Sequence, residues 1–205
     1  MNPSNSNDTR KADTVPRVID VELLALDLTA CMRCVGSLAN IEAAVAGVRP
    51  VLEATGARVT VSKRIIGSEE EARRLRFVSS PTIRVNGRDI APELLETPCQ
   101  SCTDLCGCAG GTGCRVWRYR GGEYREAPAG LIMEAVLREV LAAGRPDRPA
   151  AGERDVPDNL RRFFRGKAAR TAAACCPQVE RETCCDADQK EGCCRDSQPA
   201  ARGCR

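Results

Sequence analysis

After Arg17, V-I-D-V-E-L-L-A-L-D-L runs to Leu28 with few polar breaks, the pattern of a strand buried on both faces. Thr29 and Ala30 read as a turn. From Met32 to Val48 the apolar positions Val35, Leu38, Ile41, Val45 and Val48 recur at the spacing of one helix face. Pro50 is expected to interrupt this helix, leaving a short turn through Leu52 that ends at Gly56. Arg58 to Ile66 alternates and is β-branched, which predicts a second strand. Ser68 followed by three glutamates opens a helix to Phe77. A third strand centres on Ile83 and Val85, and Asn86-Gly87 returns a fourth through Ile90. V-W-R-Y-R-G-G-E-Y-R, 116–125, reads as a small hairpin. The helix from Gly130 to Ala143 carries Ile132, Val136 and Val140 beside Met133, Leu137 and Leu141, and Gly144 and Pro146 stop it.

This pattern divides the chain. Residues 1–16 are polar and expected to be disordered, 17–145 form one domain with a cysteine-rich insertion at 98–115, and 146–157 is a Pro-rich linker. Asp158 caps a short amphipathic basic helix, 158–170, bearing Leu160, Phe163 and Phe164. Those phenylalanines either dock on the domain or contact a partner or an anionic surface. The polar tail, 171–205, cannot build a core and is expected to be disordered without a ligand.

Composition narrows the chemistry. A net charge of +3 over 205 residues gives no case for a nucleic-acid partner. The N-terminal stretch lacks an apolar signal core, and no run approaches the ~18 apolar residues of a membrane span. The expectation is a cytoplasmic protein with reduced thiols. The chain holds 14 Cys and no His. A metal site must therefore be built from sulfur, with or without carboxylate help, and a thiolate-only site favours Zn(II), Cu(I), Hg(II), trivalent arsenic or an iron–sulfur cluster. In an oxidising compartment the same cysteines would form disulfides instead.

The cysteines fall into three groups. Cys31 and Cys34 form a C-x-x-C where the first strand gives way to a helix, whose N-terminus stabilises a thiolate. Arg33, between them, is expected to help hold that thiolate. Cys99, Cys102, Cys106, Cys108 and Cys114 crowd into a glycine-rich stretch. Four of these five could bind Zn(II) or an iron–sulfur cluster; the alternatives are a loop stapled by two disulfides, or a relay of electrons to Cys31 and Cys34. In the tail the vicinal pairs Cys175-Cys176, Cys184-Cys185 and Cys193-Cys194 recur every nine residues, with Cys204 after them. Adjacent cysteines rarely bridge each other, so evenly spaced pairs suit ions that take two or three thiolates. The plainer account is a low-complexity tail.

The element order with C-x-x-C after the first strand, and Ser80-Pro81-Thr82 before the third, resembles thioredoxin-like proteins with a βαβαββα plan. The resemblance implies a cis Ser80–Pro81 bond and a proline facing the dithiol. Met32-Arg33 replaces the Gly-Pro usual between thioredoxin's cysteines. Residues 26–143 more closely resemble an uncharacterised bacterial thioredoxin-like family sharing L-D-L-T-x-C-x-R-C, F-V-S-S-P-T-I-R and C-x-S-C-T-D-L-C-G-C. T-A-C-M-R-C-V also resembles the loop of heavy-metal-associated domains, although Ile41-Glu42 falls about three positions late and the Ser-Pro-Thr turn has no place there. The paired tail cysteines are similar to those of arsenic metallochaperones.

The expected function is thiolate-based binding and transfer of soft metal or metalloid ions in detoxification. The tail pairs, Cys31, Cys34 and the insertion cysteines would be the ligands, and a metal transporter or reductase the partner. The alternative is a thiol–disulfide oxidoreductase in which Cys31 attacks, Cys34 resolves and Pro81 faces the dithiol. A zinc-stabilised interaction module is the third reading.

Overall fold

Strand β1 (Arg17–Ala25) buries Ile19, Val21 and Leu23 and carries neighbours on both edges. The computed structural model describes residues 17–91, 93–142 and 154–174. The N-terminal stretch, the linker from 146 to 153 and the tail pairs from Cys175 onward lie outside the described residues. On one edge β2 (Ala57–Ile65) pairs parallel to β1, from Arg17 opposite Ala57 to Ala25 opposite Ile65. On the other, β3 (Thr82–Val85) runs antiparallel, setting Leu23 against Ile83, and β4 (Arg88–Asp89) pairs with β3. The mixed sheet has the order β2-β1-β3-β4. Asn86 and Gly87, both at positive φ, form the expected hairpin turn.

A parallel pair needs a crossover, and α1 (Met32–Thr55) supplies it. The expected break at Pro50 does not occur: α1 is one 24-residue helix with Pro50 inside. Pro50 and Ala46, whose carbonyl loses its intrahelical donor, both lie on the exposed side, so water can satisfy that oxygen. Val48 and Leu52 meanwhile keep the inner face buried. The first strand also ends at Ala25, short of Leu28, because the Asp27 carboxylate turns the chain by accepting the N–H groups of Thr29, Ala30 and Cys31.

Helix α2 (Glu69–Arg74) starts where expected, with Ser68 Oγ accepting the Glu71 N–H at 3.1 Å. It stops short of Phe77, with Arg76 at positive φ. The insertion holds more structure than its pattern announces. Strand β5 (Leu95–Pro98), helix α3 (Gln100–Cys106), β6 (Gly113–Tyr119) and β7 (Gly122–Tyr124) form a second sheet, β5-β6-β7, with α3 between its first two strands. The β6–β7 turn is the expected hairpin. Arg115 ties this sheet to the first: its buried guanidinium pairs with Asp89 at 2.7 Å, donates to the Ala91 carbonyl at 2.6 Å and lies 4.8 Å over the Trp117 ring.

Helix α4 (Ala129–Leu141) packs Ile132, Val136 and Val140 beside α1 against Ile19, Val21, Leu23 and Ile83. A second buried cluster joins Leu24, Leu26, Ile66 and Phe77 to the cysteines of the turn and insertion. Helix α5 (Asp158–Ala174), longer than the expected 158–170, seats Leu160, Phe163 and Phe164 in that cluster, and Val156 joins them from just before it. The phenylalanines therefore dock on the domain, with their rings edge to face at 5.7 Å. Among the described residues no helix is long and apolar enough to cross a membrane.

Candidate metal centre

Four separate pieces of local structure deliver one sulfur each. The Asp27 turn puts Cys31 at the N-cap of α1, where the Cys34 and Val35 N–H groups bond to its carbonyl at 3.0 Å. The end of β5 brings Cys99 to the N-cap of α3, and its N–H bonds to the Thr112 carbonyl at 2.8 Å. Cys102 lies in the first turn of α3. Cys114 sits on β6 opposite Thr97 of β5, so the ladder sets it beside the approach to Cys99.

The sulfurs of Cys31, Cys99, Cys102 and Cys114 all lie within 4.8 Å of one another, and all four residues are buried. Cys102 and Cys114 approach to 3.2 Å, Cys102 and Cys31 to 3.7 Å, and Cys31 and Cys99 to 4.0 Å. Metal–sulfur bonds of about 2.3 Å place the corners of a tetrahedral site about 3.8 Å apart, so these spacings fit a single ion. The set is all sulfur, in a chain that offers no histidine.

Arg33 holds these segments together. Its guanidinium is buried and donates to Thr97 Oγ1 at 2.9 Å, the Pro98 carbonyl at 2.8 Å and the Cys114 carbonyl at 3.1 Å. The residue expected to hold a thiolate instead grips the backbone before Cys99 and at Cys114. Ser80, on the cis Ser80–Pro81 bond, accepts the Leu26 N–H at 3.1 Å, meets Cys34 Sγ at 3.4 Å and offers its carbonyl to the Arg115 N–H at 2.7 Å.

Charge within the cluster is unevenly shared. Hydrogen bonds from Cys102 first, then Cys114, Cys34 and Cys99, hold the Cys31 thiol far below its usual range. Cys99 is lowered to about 6 by hydrogen bonds from Cys102 and Cys114. Cys114 is pushed up by its hydrogen bonds with Cys102, Cys31 and Cys99, together with burial. Cys34 is pushed up by its hydrogen bond to Cys31, then by burial. The cluster therefore favours negative charge on Cys31 and Cys99 over Cys34, Cys102 and Cys114.

The expected site residues divide accordingly. Cys31, Cys99, Cys102 and Cys114 come together, drawn from both the C-x-x-C turn and the insertion. Cys34 stands beside Cys31 but outside the group of four. Cys106 and Cys108 are not free ligands: they form a disulfide across Gly107, whose positive φ folds the two residues toward each other. Pro81 follows Ser80 across the cis bond, and it is the Ser80 hydroxyl that meets Cys34 Sγ. The tail cysteines fall outside the described residues. The grouping of Cys31 with the insertion had no local signal, since 68 residues separate it from Cys99.

No curated protein and no solved structure matches the chain. A family profile does, over residues 18–136, the span that runs from β1 into α4 and includes all four clustered sulfurs. The chain belongs to that family, described as a domain of unknown function, DUF2703.

Proposed function

We propose that the protein binds one soft metal or metalloid ion through Cys31, Cys99, Cys102 and Cys114 and hands it on by thiolate exchange, as a carrier in detoxification. The observation that carries this reading is the convergence of four buried sulfurs within 4.8 Å. Zn(II) matches four such ligands; Hg(II) or trivalent arsenic would use two or three of them. A multi-iron cluster fits less well, because its thiolates point outward from separated irons and need wider spacing. The tail supports transfer by its attachment: Cys175 follows the last residue of α5, and α5 packs on α3 through Gly166 and Arg170. A thiol pair tethered to the domain by the chain itself would reach an ion on it at raised effective concentration. The thioredoxin-like resemblance is supported by the β2-β1-β3-β4 order and the cis Ser80–Pro81 bond beside Cys34.

The same features favour a second reading, a thiol–disulfide oxidoreductase. Against it, Cys31 is gathered with three other sulfurs, 3.7 Å from Cys102 and 4.0 Å from Cys99, an arrangement that suits an ion ligand better than a lone attacking thiol. The deciding experiment is elemental analysis of anaerobically purified full-length protein with insulin reduction measured in parallel. One soft ion per chain, lost on Cys31→Ser, supports the carrier. Metal-free protein that refuses Zn(II), Hg(II) and arsenite, yet reduces insulin through Cys31, overturns it. A Zn(II) that survives loss of Cys31 would mark the insertion as a structural module.

A further inference from the structure

Cys34 is buried one helical turn after Cys31 and meets the Ser80 hydroxyl at 3.4 Å. It nonetheless stands outside the group of four sulfurs. Cα atoms three residues apart on a helix lie about 5 Å from one another, within the Cα separation of about 4.4–6.8 Å that a disulfide accepts. Cys31 therefore has two mutually exclusive partners. As an ion ligand it must keep its thiolate; joined to Cys34 it has none to give. When the ion occupies the four ligand sulfurs, Cys34 is the neighbour of Cys31 that still carries a free thiol.

We propose that hydrogen peroxide converts the loaded centre to a Cys31–Cys34 disulfide and so releases the ion, giving the protein a peroxide-triggered release activity. This rests on the four-sulfur reading of the site. The Cys31 thiolate attacks one peroxide oxygen, the O–O bond breaks, and hydroxide leaves. Cys31 becomes a sulfenic acid and its bond to the ion is lost. The Cys34 thiol then attacks the Cys31 sulfur, the S–OH bond breaks, and water departs with the Cys34 proton. Two sulfurs lose two electrons and one peroxide accepts them, ending as hydroxide and water. Three thiolates remain on the ion, and a chelating acceptor removes it.

Burial selects the oxidant class. Cys31 and Cys34 are fully covered, with Leu160 and Phe163 of α5 in the same buried cluster, so a reactant must be close to water in size. Position selects the disulfide partner. Cys102 and Cys114 are closer to each other, at 3.2 Å, but both are held by the ion in the loaded state.

The test uses full-length protein loaded anaerobically with one equivalent of Zn(II), treated with hydrogen peroxide beside a zinc-chelating dye. Disulfides are mapped by mass spectrometry after alkylation. The expected result is release of the equivalent with a Cys31–Cys34 bond, and reloading after a dithiol reductant. Cys34→Ser and Cys34→Ala should load equally but release about tenfold more slowly or less, because no resolving thiol follows the first oxidation. Release from these variants at the wild-type rate, or a mapped bond between Cys102 and Cys114, overturns the proposal while leaving the ion site standing. A chain that takes up no Zn(II) overturns the site reading and this proposal with it.

Discussion

Arg33, the residue between Cys34 and Met32 in the C-x-x-C turn, donates through Nη1 to the Cys114 carbonyl at 3.1 Å and so reaches across 81 positions of sequence. Its further bonds to Thr97 and Pro98 fix the backbone that presents Cys99. A flat, forked donor suits three acceptors on two strands; an ammonium does not. Arg33→Met should lower affinity for Zn(II) by about 10- to 100-fold, the usual cost of losing a group that orients a ligand. Arg33→Lys should fall between the two. Competition against a chelator of known affinity checks this, and unchanged affinity in Arg33→Met would remove Arg33 from the site.

The cysteines should separate into two classes. Cys31→Ser, Cys99→Ser, Cys102→Ser and Cys114→Ser each remove one corner of the group and should weaken ion binding by at least about a hundredfold. Cys106→Ser should leave the one-ion stoichiometry intact, since Cys106 is engaged with Cys108. Titration with Co(II), followed by its thiolate charge-transfer bands, reads both. A Cys106→Ser chain that loses the bands would place the ion in the insertion alone.

Helix α5 covers the centre by close approach. A Cβ on Gly166 would stand 2.7 Å from the Cys106 carbonyl oxygen and 2.8 Å from Cys108 Sγ, distances that backbone and a fixed sulfur cannot relieve. Gly166→Val should detach the helix, and Phe163→Ala should cost about 3–5 kcal/mol through the cavity it leaves. Hydrogen exchange should show faster amide exchange across 158–174 in both, with the four-stranded sheet unchanged. Unaltered protection of α5 in Gly166→Val would contradict the packing.

The main sheet was legible because its local signals agree with its tertiary surroundings. The aliphatic run of β1, the Asn86-Gly87 turn and the Ser68 cap each point to the element they form. Pro50 misled because propensity counts a lost hydrogen bond without knowing that the orphaned carbonyl faces water. The C-x-x-C and the insertion were each legible as sulfur chemistry, but their union was not. Cys31 meets Cys99, Cys102 and Cys114 through a long-range ladder and a buried arginine, neither of which has a short-range spacing. β5, four residues with a terminal proline, carried too little alternation to be read as the strand that aligns Cys99 with Cys114.

The turn before Cys31 should depend on pH. Burial pushes the Asp27 carboxyl upward, but the N–H groups of Ala30, Thr29 and Cys31 and the Thr29 hydroxyl outweigh it and hold its pKa below the ordinary value. A carboxylate lowered in the folded state stabilises the fold above its unfolded pKa, about 3.9, and loses that contribution as pH falls through the folded value. Asp27→Asn should therefore destabilise the protein by about 1 kcal/mol at neutral pH, the scale of a lost helix cap, and by progressively less in acid. Denaturant unfolding at pH 7 and pH 3 checks the difference, and an equal loss at both would contradict the assignment to charge.

The most direct test of the four-sulfur centre is X-ray absorption at the zinc edge on full-length protein carrying one equivalent of Zn(II). Four sulfurs at about 2.3 Å, falling to three with an oxygen or nitrogen in Cys31→Ser, is the predicted result. A shell of mixed or fewer sulfurs in the wild-type chain, or one that does not change when Cys31 is replaced, would contradict it.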